Sequence, residues 1–97
     1  MGLIFVDATV KNHKKNKSIN MLVDSGASYS LLKKEIWQEL GLIPKREMEF
    51  TLADGIRISR KVSECLIQLS ILNLEGHTPD ILGEDGDDEN LLGYHKL

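Results

Sequence analysis

The residues of this chain best suited to chemistry stand together in Leu22-Val23-Asp24-Ser25-Gly26-Ala27-Ser28. An acid that ends an apolar run sits where burial raises the cost of its charge. Something must then hold the carboxylate or share its proton. No basic residue is adjacent in sequence. A second carboxylate within hydrogen-bonding reach meets the need, because two such groups cannot both ionise and one proton is shared between them. Asp-Ser-Gly occurs once in the chain, so the second carboxylate is expected from another copy across a two-fold axis. The competing reading is a strand-end turn in which Asp24 bonds nearby backbone.

Other reactive residue types lack such a setting. Cys65 shares one face of an apolar run with Ile67, Leu69 and Ile71 and has no activating base nearby, which marks a small core residue and not a nucleophile. His13, His77 and His95 have no metal-ligand spacing. Glu84-Asp85-Gly86-Asp87-Asp88-Glu89 lacks the alternation and the distal glutamate of a calcium loop and reads as solvated. No metal or cofactor is expected. Trp37 is assigned to helix packing.

The elements that must position Asp24 follow from periodicity. Leu3 to Val10 and Ser18 to Val23 read as two strands joined across a polar loop, Lys11 to Lys17. Tyr29 to Leu32 is extended. Lys33 to Leu40 is a helix, with Ile36, Trp37 and Leu40 on one face, Gly41 just past its end and Pro44 forbidding continuation. Glu47 to Ala53 and Ile56 to Ile71 are strands separated by Asp54-Gly55, a two-residue type I′ signal. A polar loop is expected from Asn73 to Pro79, then the short apolar elements Ile81-Leu82-Gly83 and Leu91-Leu92-Gly93. The sum is mostly β with a single helix.

Ninety-seven residues, 41% apolar and 28% charged, fit one globular domain spanning 1–97, near the lower limit of what buries a core alone. With aromatics only at Phe5, Tyr29, Trp37, Phe50 and Tyr94, pairing of two copies is a natural source of further stability. The net charge of −3 argues against nucleic acid as a partner, and the cluster Lys11, Lys14, Lys15 and Lys17 reads as a solvated loop. A single cysteine and the absence of a signal-peptide pattern or apolar span point to a cytoplasmic protein with no membrane partner.

Leu22 to Ser28 resembles the active-site loop of retropepsin-like aspartic proteases, the viral and virus-related homodimeric class, and more narrowly of small prokaryotic proteases of that fold. Three further stretches are similar and in the same order. Thr51-Leu52-Ala53-Asp54-Gly55 resembles the tip of the flap hairpin, Ile81-Leu82-Gly83-Glu84 the strand leading into the substrate wall, and Leu91-Leu92-Gly93 the apolar-apolar-Gly element behind the catalytic loop. The resemblance implies an all-β fold, closed and barrel-like with a flap hairpin, plus one short helix. It implies an aspartic endopeptidase acting on peptide or protein at mildly acidic pH. Asp24 would be catalytic, Ser25 and Gly26 would support the loop, and Ala27, Ser28, Ala53, Asp54, Gly55 and Ile81 would meet substrate. In the family a helix follows the Leu91-Leu92-Gly93 equivalent; here four residues remain, so that helix is read as truncated. A catalytically inactive binding or dimerisation module of the same fold is the alternative.

Overall fold

The computed structural model describes residues 3–24, 29–52, 54–69, 74–86 and 89–93. Seven strands and one helix run in the order β1 (Phe5–Asn12), β2 (Lys15–Asp24), β3 (Ser30–Leu32), α1 (Lys34–Glu39), β4 (Arg46–Thr51), β5 (Arg57–Leu69), β6 (Leu74–Leu82) and β7 (Leu91–Gly93). The strands lie in the order β1-β2-β7-β3-β6-β5-β4, and β1 also pairs with β5. That last pairing, through Thr9↔Gln68, Val10↔Ile67 and Lys11↔Leu66, closes a ring of six strands and leaves β4 outside it, carried on β5 alone. Closure removes sheet edges that would otherwise invite a stray strand.

Alternation fills the inside of the ring. Val10, Met21, Leu32, Ile67, Leu69, Leu82 and Leu92 are buried, and Ile36, Leu40 and Leu42 join them from the helical segment. The helix forms one residue shorter at each end than its pattern predicts, within the usual fraying. Gly41 follows at φ +67°, the left-handed position that ends a helix. Trp37 packs partly against the core and donates its Nε1–H to the Gly83 carbonyl at 2.9 Å, as its assignment to packing requires.

Three expected loops are different. The polar stretch Lys11 to Lys17 is mostly strand: pairing continues through Lys11↔Asn16 and Asn12↔Lys15, and only His13 and Lys14 turn. His13 takes a φ of +55°, a conformation histidine adopts more readily than most side chains. Backbone pairing needs no apolar side chains, so hydropathy could not report it. Asn12 Nδ2 donates to the Leu40 carbonyl at 2.8 Å and Lys17 pairs with Glu39, so the turn is tied to the helix.

Asp54-Gly55 is not a two-residue turn. Register Thr51↔Arg57 holds, Leu52 N–H donates to the Ile56 carbonyl at 2.8 Å and Gly55 N–H to the Leu52 carbonyl at 2.9 Å. Among the described residues of this turn only Gly55 has positive φ, at +87°. This is the pattern of a three-residue connection ending in a glycine bulge. Asp54 Oδ1 accepts from Ile56 N–H at 3.0 Å, holding the bend.

The polar run up to Pro79 belongs to β6, which pairs antiparallel with β5 from Leu69↔Leu74 to Val62↔Ile81. Pro79 fits because β3 meets β6 only from Asp80 onward, and a proline is tolerated where no second ladder needs its N–H. Ile71 and Asn73, assigned above to a strand and a loop, fall outside the described residues.

Candidate active site

Asp24 is the last residue of β2, and its support comes from β7. That strand runs parallel to β2 (Leu22↔Leu91, Val23↔Leu92, Asp24↔Gly93) and antiparallel to β3 through Leu31↔Leu91. The two strands flanking residues 25–28 are therefore joined by a third laid between them. Leu92 is buried beneath, as its apolar-apolar-Gly pattern predicts. Ser25, Gly26, Ala27 and Ser28, like Ala53, lie outside the described residues.

Polar bonds lock this junction. Gly93 N–H donates to the buried Ser30 Oγ at 3.0 Å, Lys33 N–H to Asn90 Oδ1 at 2.8 Å, and Leu22 N–H to the Asn90 carbonyl at 2.8 Å. Neither Ser30 nor Asn90 carries a sequence signal for this role, since each serves a backbone group distant in the chain. The one available hint is a polar residue placed directly before an apolar strand. Replacing Asn90 by alanine leaves the Lys33 N–H without its acceptor and is expected to cost about 1–3 kcal/mol in urea denaturation. An unchanged midpoint would remove Asn90 from the support of the site.

One expectation about Asp24 is corrected: its strand buries Ile19 and Met21, but the aspartate itself is exposed in the single chain. The chain ends β2 at the surface. Leu22, two residues earlier on the same strand, begins a cross-strand row with Leu91, Leu31 and Ile81, linked by register across β2, β7, β3 and β6. All four are half-buried. Ile81 is thus brought into line with the Asp24 strand end as part of an aliphatic shelf.

Asp54 and Gly55 sit apart, exposed at the tip of the β4–β5 hairpin with Leu52 and Ile56, which are 43% and 57% exposed. The hairpin is nonetheless coupled to the Asp24 loop. Tyr29, where the chain re-emerges from that loop, stacks edge-on against Phe50 with centroids 5.5 Å apart and donates its hydroxyl to Met48 Sδ at 3.2 Å. Both partners are on β4. Sequence inspection treats Tyr29 only as the start of a strand.

Cys65 is 4% exposed; burial first, then the neighbouring Asp80, pushes its thiol pKa far up. It is a core residue, as expected. In the acidic run, Glu84 pairs with Arg60 at 3.1 Å and Asp85 with Lys34 at 3.4 Å, so its first members are spent on surface ion pairs.

A closed six-strand barrel with an aspartate at a strand end and an apolar-apolar-Gly strand inserted behind it is the architecture of retropepsin-like aspartic proteases. EIAV protease complexed with the inhibitor HBY-793 superposes with a TM-score of 0.66 at 15% identity, over 95% of this chain and 82% of that one. A retropepsin-like aspartic protease from Rickettsia conorii gives 0.65 at 24% identity, over 97% and 68%. At such identities the likeness speaks for the fold. No curated protein matches the sequence. Residues 7–97 match the family described as "gag-polyprotein putative aspartyl protease", and the chain belongs to that family.

Proposed function

We propose that the protein is an aspartic endopeptidase that works as a homodimer, with Asp24 of each subunit forming a shared dyad. The observation that carries this reading is the exposed position of Asp24 at the end of β2, beside the strand β7 that also pairs with β3. A carboxylate exposed at a strand end is suited to meet its symmetry mate, and a family of aspartyl proteases supplies the chemistry. Two carboxylates in contact share one proton. The ionised member takes a proton from a held water as it attacks the peptide carbonyl, and the protonated member donates to the carbonyl oxygen. The roles exchange as the amine departs.

In this reading Ser25 links the paired loops and the Gly26 carbonyl accepts substrate amides. Ala27, Ser28 and Ile81 line the cleft, and the shelf of Leu22, Leu91 and Leu31 continues it. The β4–β5 hairpin, with Asp54 and Gly55 at its tip, is the flap, and Ala53 is assigned to the same substrate-facing role. The apolar Leu52 and Ile56 suit a surface that closes over peptide, because closure excludes water from the dyad. The substrate is peptide or unfolded protein, and the compartment is the cytoplasm.

Subunit mixing tests the dimer. Wild-type protein equilibrated with a large excess of Asp24→Asn should lose nearly all activity, since each wild-type subunit is then paired with one that lacks the carboxylate. Specific activity of the wild type alone should also fall on dilution. Activity indifferent to both would mean that one chain suffices. A dimer that cleaves nothing would instead be a binding module.

A further inference from the structure

The β4–β5 hairpin stands outside the closed ring, because β4 is the last strand in the order and pairs with β5 alone. A two-stranded ribbon is marginal in water unless one of its faces is packed. Burial shows which face that is. Met48 and Phe50 on β4, and Arg60 and Ile58 opposite them on β5, are half-buried, while their chain neighbours are exposed. The outward side chains bond within the hairpin: Ser59 Oγ donates to Glu47 Oε1 at 2.8 Å, and Arg57 pairs with Glu49 at 3.4 Å.

The inward face meets Tyr29. Its ring stands at 84° to that of Phe50, the edge-on arrangement that two aromatic quadrupoles favour, and its hydroxyl donates to Met48 Sδ. Tyr29 is half-buried, and the next residue is Ser30, buried in the junction behind Asp24. One side chain therefore joins the outer strand of the hairpin to a segment that β6 and β7 hold on either side. A second tie, Arg60 to Glu84 at 3.1 Å, acts on β5, the strand that the barrel already holds.

We propose that Tyr29 is a positioning residue that latches the β4–β5 hairpin to the chain leaving the Asp24 loop, setting how much of the time the hairpin covers bound peptide. The proposal rests on the reading of this hairpin as the flap of an Asp24 protease. One aromatic pair and one weak bond to sulfur shift such a balance about tenfold. That is enough to favour closure and little enough to let the hairpin open for substrate. A protein whose competent state is depopulated binds more weakly by that fraction, and saturating substrate restores the closed state. Loss of the latch therefore falls on KM and spares kcat.

The test pairs steady-state cleavage of a fluorogenic peptide with hydrogen exchange of the hairpin amides, both in the full chain. Tyr29→Ala should raise KM about tenfold with kcat within about twofold. It should speed exchange of the Leu52 N–H, which bonds the Ile56 carbonyl, by about tenfold while the β1–β2 ladder keeps its protection. Tyr29→Phe keeps the ring and should stay near the wild type in both measurements. Tyr29→Ala/Phe50→Ala should cost little more than Tyr29→Ala, because both changes remove the same contact. Slower turnover at unchanged KM, or unaltered hairpin exchange, overturns the proposal. So does faster exchange throughout the barrel, which would make Tyr29 a general packing residue. If the wild type cleaves nothing, the protease reading falls, and hairpin exchange in Tyr29→Ala still decides whether the latch exists.

Discussion

Asp24→Asn should reduce peptide cleavage by about 10⁴-fold or more while the protein stays folded. In a homodimer one substitution removes both carboxylates, and so both the general acid and the general base, each typically worth about 10²–10⁴-fold. The amide is nearly isosteric but cannot take a proton from water. Because Asp24 is exposed in the single chain, the change should alter subunit stability by no more than about 1 kcal/mol. Cleavage of a fluorogenic peptide, read beside a thermal melt of the same sample, checks both halves. Cleavage persisting at wild-type rate in a folded Asp24→Asn protein would end the assignment of this residue.

The second large effect concerns a carboxylate that the mechanism leaves aside. Asp80 is fully buried on β6, in register with Ser30 of β3 and Ser63 of β5. Thr78 Oγ1 donates to its Oδ1 at 2.9 Å, while Oδ2 has no hydrogen-bond partner among the described residues. The Cys65 thiol lies beside the carboxylate. Burial raises the Asp80 pKa to about 7, against the opposing pull of Cys65 and Thr78.

The sign of the linkage follows. Between the ordinary value of 3.8 and about 7, the folded state binds the proton and the unfolded state does not. Stability therefore falls as pH rises through that window and levels off above it. A shift of this size corresponds to an upper bound of about 4 kcal/mol, and relaxation around the charge should leave about 2–3. Urea denaturation at pH 5 and pH 8 should reveal this loss in the wild type and a much smaller one in Asp80→Asn. Equal slopes in the two proteins would sink the idea. Because Asp80 neighbours Ser30, which accepts from Gly93 in the site junction, the proton also bears on the brace behind Asp24.

Periodicity revealed what rests on local composition. The helix was legible because Ile36, Trp37 and Leu40 mark one face and Gly41 ends it. The inner face of β5 was legible because Cys65, Ile67 and Leu69 recur at every second position. Polar strands left no such trace: Lys11, Asn12 and the residues before Pro79 pair through backbone groups, which hydropathy does not register. The Asp54-Gly55 dipeptide misled because two positive-φ residues and one glycine bulge share the same composition. Ser30, Asn90 and Tyr29 were invisible as site supports because their partners lie 63, 57 and 19 residues away.

Local chemistry therefore sufficed for the identity of the one acid in a reactive setting and for the strand that ends in it, since both depend on neighbours within a few positions. Whether that acid faces solvent, which strand braces it, and that Asp80 lies in the core depend on closure of the barrel. Closure is set by pairings between segments far apart in the chain, whose free energy no short stretch of residues contains.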